Sequence, residues 1–355
     1  MSQAVPISIC IPQYNRSKHL LRVLESIRVQ EDQDVEVVVS DDCSTDDSAI
    51  VIPRYIKSVA QEFPGKIKYI RQLENIGYDR NLRAAMAGGS GEYLLILGND
   101  DALCGRRALV QLMHTLGRLG NPDLAFCNFR ETSEEGPLVV RASKTMVLGA
   151  GVKVAVQKFR SFSFVGGIVF KRSAFVAHDT DSCDQSVYYQ IYLAARTIAA
   201  GGIVASIAEP IVVKDIQVDG KSANSYLDVL VQDNLRLMPK TGGLDEVGRV
   251  ACEAMLPIEV PSRRGLRCFQ IYWQIYSFSY PFWLLNYRQN GAYRAALNLA
   301  YGCQPSILLR AVACPGWVKF ALWGVYLLSS AGGMLTPVTL LRRIAQIIKR
   351  WQLAR

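Results

Sequence analysis

Short apolar strands alternate with amphipathic helices through the first hundred residues, and that rhythm leaves few folds open. Val5–Ile11, Val35–Ser40, Lys66–Arg71 and Tyr93–Leu97 read as strands, the second β-branched and the fourth bounded by Gly91 and Gly98. Between them, Ser17 can cap a helix to about Gln30 with Leu20, Leu21, Leu24 and Ile27 on one face. Ser44 is expected to open a second helix, with Asp46 and Asp47 where the macrodipole favours acids, and Asp79–Gly88 forms a third. Strand and helix in turn, joined by a few residues each, predict an α/β fold with a doubly wound, mostly parallel sheet. Right-handed crossovers bring the carboxyl ends of such strands to one edge, where ligands bind.

Acids gather at that edge. The second strand ends in Asp41 and Asp42, the fourth in Asp100 and Asp101. Neighbouring carboxylates repel, and a divalent cation or a sugar hydroxyl relieves the repulsion. A polar turn capping the next helix would use the same residues. Other ligand classes are excluded by what is missing. No G-x-G-x-x-G follows the first strand, and no G-x-S-x-G occurs. The Asp219–Ser222 stretch DGKS imitates a phosphate loop, but the glycine such a loop needs is replaced by Asp215. Nine scattered cysteines without a C-x-x-C pair, and three histidines, argue against a zinc site and for a reducing compartment. An apolar strand within five residues of the start, with no basic stretch before it, is not the pattern of a signal peptide.

Four stretches, CIPQYNR (10–16), VVVSDDCSTDDS (37–48), ENIGYDRNLRAA (74–85) and SGEYLLILGNDD (90–101), occur in order. Together they resemble the nucleotide-sugar-binding half of family 2 glycosyltransferases, whose fold is termed GT-A (Rossmann-like), and most closely the abequosyltransferase-like O-antigen branch. The likeness is clear over residues 5–105 and looser to about 215. It implies that Pro12 and Tyr14 pack on the nucleotide base and that Asp42 accepts a hydrogen bond from it. Arg80 and Asn81 would face the donor diphosphate. Asp100 would meet the ribose or a metal-bound water, and Asp101 would ligate Mg²⁺ or Mn²⁺. The family often carries a further acid where this chain has Gly98, so a metal held chiefly through the donor phosphates is expected.

Residues 106–225 are expected to form the acceptor half. Asp123–Phe129 and Ser163–Phe170 read as strands, and Gly166–Gly167 permits a close backbone approach or a bend. The resemblance makes Asp184 the general base that deprotonates the acceptor hydroxyl, with Asp181 its substitute. N-capping of a helix running from Asp184 to Ala200 is the alternative. Ile203–Ala208 and Pro210–Ile216 return to the sheet. The polar stretch 215–225 could close over the donor, with Lys214 or Lys221 near its phosphates.

Composition changes near residue 260, taken as the end of the catalytic domain. Pro261–Arg355 holds twelve Lys or Arg, no acid, all five Trp and 16 of 33 aromatics, leaving a net charge of −3 on the preceding residues. Phe320–Leu341 is uncharged and long enough for one bilayer crossing. Leu340–Leu353 patterns as a basic amphipathic helix with Leu341, Ile344, Ile347, Ile348 and Trp351 on its apolar side. Peripheral or monotopic attachment to anionic lipid at the cytoplasmic face of the inner membrane is expected, with a buried helical bundle or a homo-oligomer interface as alternatives.

The expected activity is inverting, metal-dependent transfer of a sugar from a nucleoside-diphosphate donor. Its acceptor would be a polyprenyl-diphosphate-linked saccharide in bacterial O-antigen, capsule or exopolysaccharide synthesis, with no nucleic acid partner. A transferase acting on polyprenyl phosphate itself and an inactive nucleotide-sugar-binding module are the alternatives.

Overall fold

Strands β1 (Ile7–Gln13), β2 (Val35–Asp41), β3 (Ile67–Arg71) and β4 (Tyr93–Ile96) pair in parallel in the order β3-β2-β1-β4. Every residue of β1, β2 and β4 is buried, which is why their sequences run nearly continuously apolar. The structure, a computed structural model, describes residues 6–31, 34–61, 63, 67–222, 240–344 and 347. Helices α1 (Ser17–Arg28), α2 (Ser48–Val59) and α3 (Tyr78–Ala87) make the crossovers. Leu20, Val23, Leu24 and Ile27 bury the inner face of α1. The first two crossovers step outward from β1, and the third jumps back to its other side. The winding direction therefore reverses between β1 and β4, and a crevice opens beyond their carboxyl ends.

The rest of the sheet is mixed. After β5 (Ala102–Leu103) and α4 (Ala108–Arg118) come β6 (Leu124–Glu131), β7 (Leu138–Val139), β8 (Met146–Gly149) and α5 (Val152–Lys158). They are followed by β9 (Ile168–Lys171), α6 (Arg172–His178), α7 (Tyr189–Ala199) and β10 (Val204–Lys214). β9 inserts antiparallel between β4 and β6, and β10 runs parallel to β6.

Local polar contacts explain where elements depart from their sequence expectation. The second helix starts at Ser48, not Ser44, because the backbone N–H of Ser44 is held by Asp41 at 2.9 Å and that of Ser48 by Asp46 at 3.0 Å. The strand expected from Ser163 begins only at Ile168, after Gly167 turns the chain at φ 74°. The two strands expected around Pro210 are one, with its register shifting there, as befits a residue that cannot donate to a ladder.

Packing divides the chain into two units, Met1–Val154 with Lys158–Ala223, and Ala155–Gln157 with Asn224–Arg355. The division falls about 36 residues before the compositional change at 260, because Leu244–Met255 packs with Pro261–Gln274. The second unit is helical among its described residues, with Tyr280–Gln289, Tyr293–Gly302 and Gly316–Leu335 as further helices. Its tyrosines build a core of their own. Tyr276 and Tyr280 are fully buried, their hydroxyls bonded to the Cys303 carbonyl at 2.7 Å and to Ser330 at 2.8 Å. The uncharged run 320–341 is not one helix, since Thr336 leaves helical geometry at ψ 135°. Arg288 caps the break, donating to the carbonyls of Gly333 and Thr336. Gly316–Leu335 is long and apolar enough to cross a membrane, and only 22% of its most apolar window is buried within the chain. Phe320, Leu328 and Leu335 point outward. Ile348 and Trp351 of the expected amphipathic helix lie outside the described residues.

Candidate active site

Gln13, at the carboxyl end of β1 and within the stretch CIPQYNR, joins the elements around the crevice, a role its sequence context does not give it. Its carbonyl accepts from Asn81 Nδ2 at 3.1 Å and from the Asp42 backbone at 2.8 Å. Its side chain accepts from Asn99 Nδ2 at 2.8 Å and donates to Ser48 Oγ at 3.0 Å. The loops after β1, β2 and β4 and the first turn of α3 are thereby tied together. Pro12 sits opposite Ser40 in the parallel ladder, and Tyr14, just beyond, is 44% exposed. Asp42 is buried, with both carboxylate oxygens accepting backbone N–H groups, Ile76 at 2.6 Å and Gly77 at 3.0 Å. It anchors the entry to α3, and a carboxylate has lone pairs beyond those two. Asn81 is 2% exposed, and its buried Oδ1 has no hydrogen-bond partner among the described residues.

The acids after β4 sit in contrasting surroundings. Asp101 is 2% exposed, touched by the backbone N–H of Gly98 at 3.2 Å and of Asp215 at 3.3 Å, and it makes no ion pair among the described residues. Burial pushes its carboxyl well above the ordinary range, and the Asp100 and Asp215 carboxylates push further. Asp100 is also raised by burial, but Arg16 opposes the rise from a salt bridge of 2.7 Å. Lys214 pairs with Asp215 at 3.0 Å. Arg141, buried among the rings of Phe126, Phe129 and Phe164, donates to the carbonyls of Phe164 and Gly166 and so fixes the loop that faces Asp101.

Two glycines make room for Asp101. A Cβ on Gly98 would meet its Oδ2 at 2.7 Å, and a Cβ on Gly166 would meet the same oxygen at 2.5 Å. The first contact gives a physical reason for the missing third acid, since a side chain at 98 would strike the carboxylate it was meant to assist. The second shows what the Gly166–Gly167 pair permits: the turn before β9 lies directly on Asp101.

The chain brings Asp184 to the first turn of α3. Arg80 Nε donates to its Oδ2 at 2.8 Å, and Arg83 Nη1 lies 3.2 and 3.3 Å from its two oxygens. Arg83 also grips Asp179 at 2.7 and 3.3 Å. The helix after Asp184 begins five residues later than expected, and its N-terminal amides are satisfied from another element. Asp79 of α3 accepts from the backbone N–H of Val187 at 2.7 Å and of Tyr189 at 3.2 Å. Neither Asp181 nor Asp184 therefore caps α7, whose cap residue is Tyr188. Asp79 and Arg83 were not singled out by sequence; the signal available was their i, i+4 spacing on one helix face beside Arg80.

Among the described residues no three His, Cys, Asp or Glu gather closely enough to hold a metal by themselves. The donor set nevertheless suits a hard divalent ion with outside ligands. Asp101 is a buried carboxylate, Asp100 repels it, and both carry only oxygen donors. Tyr78 links this group to α3, since after burial the charges of Asp79, Asp101 and Asp100 push its phenol upward.

Residues 8–176 match the model of the family described as Glycosyl transferase family 2. Over 128 residues the chain is 38% identical to the abequosyltransferase RfbV of Salmonella typhimurium, spanning 36% of each protein. Over 98 residues it is 33% identical to the GalNAc(5)-diNAcBac-PP-undecaprenol beta-1,3-glucosyltransferase of Campylobacter jejuni, covering 27% of this chain and 30% of that one. The matched stretch is thus about a third of these relatives' lengths. In fold, the chain superposes on Staphylococcus aureus TarS 1-349 in complex with UDP-GlcNAc (TM-score 0.57, 13% identity, 92% and 91% of the two chains covered). It also superposes on the Pyrobaculum calidifontis mannosyltransferase PcManGT in complex with GDP-Man and Mn²⁺ (TM-score 0.51, 17% identity, 94% and 88% covered). With strands β1 to β4 reversing their winding over paired acids, residues 8–176 match the family 2 glycosyltransferase model, and the chain shares the GT-A fold of the superposed structures.

Proposed function

We propose that the protein transfers a sugar from a nucleoside-diphosphate donor to a hydroxyl of a polyprenyl-diphosphate-linked saccharide in bacterial surface-polysaccharide synthesis. The observation that carries the reading is the gathering of acids distant in sequence around one crevice. Asp42 holds the entry to α3, Arg80 and Arg83 of α3 hold Asp184, and Asp100 and Asp101 face the same edge from β4. A polyprenyl acceptor is suggested by the name of the Campylobacter relative, and O-antigen chemistry by that of the Salmonella one.

In this reading Tyr14 and Pro12 flank the base, Asp42 accepts a hydrogen bond from it, and Asn81 stands with Arg80 toward the diphosphate. The terminal nitrogens of Arg80, whose side chain is 59% exposed, are oriented for the diphosphate. Asp101, with Asp100, would hold Mg²⁺ or Mn²⁺, which when bound supplies positive charge beside the departing phosphate oxygen. Asp184 takes the proton of the acceptor hydroxyl. That oxygen forms a bond to the anomeric carbon as the bond to the diphosphate breaks, inverting the centre in a single displacement. Gly316–Leu335 and its outward Phe320, Leu328 and Leu335 attach the chain to the cytoplasmic face of the inner membrane.

Calorimetry with UDP-, GDP-, CDP- and dTDP-sugars, with and without Mn²⁺, is the first test, followed by transfer to a polyprenyl-diphosphate saccharide and mass analysis of the lipid product. One donor should bind in a Mn²⁺-dependent manner, and Asp101→Ala should abolish that dependence. Sugar found on polyprenyl monophosphate, or no binding of any donor, would overturn the reading.

A further inference from the structure

Arg16 occupies a conformation that side chains seldom adopt, and the chain around it enforces that conformation. Its backbone lies at φ 61° and ψ 37°, immediately after Asn15 at φ 53°. Two successive residues in the left-handed region are unfavourable and persist only where the surroundings dictate them. Here the loop after β2 does so. The Asn15 backbone N–H donates to Ser44 Oγ at 2.8 Å, Thr45 N–H donates to Asn15 Oδ1 at 2.9 Å, and Ser17 N–H donates to Asp46 Oδ2 at 2.9 Å. The effect is to aim the Arg16 guanidinium across the crevice. Its Nη1 lies 2.7 Å from Asp100 Oδ2 and 3.4 Å from Asn99 Oδ1.

This ion pair splits the two carboxylates. Asp100 carries Arg16 in a salt bridge, whereas Asp101 makes no salt bridge among the described residues and has Arg141 and Lys214 only within electrostatic reach. His19, Tyr78 and Asp215 are further titratable groups within electrostatic reach of Asp100, alongside Asp101. A divalent ion arriving alone must displace Arg16 to use Asp100, or settle for Asp101 beside a guanidinium that repels it. An incoming diphosphate changes the balance, because it offers the same fork a bidentate anion. The Arg16 side chain is 40% exposed, so an arriving anion can reach it.

We propose that Arg16 is the resident counter-ion of Asp100, and that it yields this carboxylate to the cation only when a nucleoside diphosphate takes the guanidinium in exchange. Cation and nucleotide then bind cooperatively, each strengthening the other by the same factor. Arg16 acts as a positioning residue that keeps the site from filling with metal before the donor arrives. The inference rests on the metal-dependent reading above.

The test is Mn²⁺ binding to the full-length protein by calorimetry, alone and with saturating UDP, GDP, CDP or dTDP, for the wild type, Arg16→Gln and Arg16→Lys. The wild type should bind Mn²⁺ weakly alone and on the order of tenfold more tightly with the accepted nucleotide. Arg16→Gln should bind Mn²⁺ alone several-fold more tightly than the wild type and lose most of the nucleotide's effect. Arg16→Lys keeps the charge without the fork, so its affinity for Mn²⁺ alone should stay near that of the wild type while the coupling falls. It also provides the measurement should Arg16→Gln not fold. Unchanged coupling in either variant overturns the counter-ion role while leaving the metal-dependent reading intact. No Mn²⁺ uptake by the wild type with any nucleotide overturns both.

Discussion

Replacing Gly166 by Ala tests whether the position of Asp101 matters to catalysis. A Cβ at 166 would lie 2.5 Å from Asp101 Oδ2 and 2.7 Å from Phe164 Cζ, where ordinary contact begins at 3.4 Å. Something must move by roughly 0.9 Å, the shortfall from van der Waals contact. Phe164 is poorly placed to absorb it, being packed on Phe129 at 4.3 Å between centroids and lying under Arg141 and Lys214. The Asp101 carboxylate, held by two backbone bonds of 3.2 and 3.3 Å, is the softer neighbour. A displacement near 1 Å in reacting geometry costs on the order of a hundredfold in rate, or about 2.7 kcal/mol of barrier. Overpacking of this kind costs about 1–3 kcal/mol of stability, so the variant is expected to fold. The assay is kcat and KM for sugar transfer, with a thermal melt alongside. Gly117→Ala is the control. Gly117 lies in α4 with nothing within 4 Å of the added Cβ, so stability should rise slightly and the kinetics should not change. A Gly166→Ala enzyme with lowered Tm and kcat within about twofold of wild type would refute the reasoning, since the loop would have shifted without consequence for Asp101.

Asp184→Asn should lower transfer by roughly 10²- to 10⁴-fold while leaving nucleotide binding by calorimetry unchanged; undiminished transfer would remove Asp184 from the role of base. Glu36 provides a pH prediction away from the crevice. Burial pushes its carboxyl up, but Lys68 at 2.5 Å, Ser8 at 2.5 Å and Ser90 together hold it below its ordinary 4.5. Its stabilisation is therefore present above pH 4.5 and is lost as the pH falls through the lower folded value. Glu36→Gln should cost about 1–3 kcal/mol at neutral pH in a denaturant melt, with a smaller difference from wild type in acid. Phe320→Asp with Leu328→Asp should weaken sedimentation with anionic vesicles by tenfold or more, about 1.4 kcal/mol, without lowering Tm, because both side chains are exposed. Unaltered sedimentation would point to attachment elsewhere.

Much of this protein is legible in its sequence. Alternating strands and helices determine the parallel half of the sheet, because burial on both faces demands long apolar runs and crossovers of fixed hand. The paired acids at strand ends could be found because they interrupt such runs. Helix starts depart from expectation at Ser44, where Asp41 three residues back holds the amide, and after Asp184, where Asp79 of a distant helix holds the amides of Val187 and Tyr189. The reach of Arg83 from Asp179 to Asp184, and of Arg16 to Asp100, spans about a hundred and about eighty residues of chain.

What sequence alone determined was a sheet edge rich in oxygen acids and a tail poor in them. Which acid stands buried and unpaired, and which is covered by a guanidinium, was decided only when strands far apart in the chain came side by side. Charge and dielectric depend on neighbours in space, and only folding sets those.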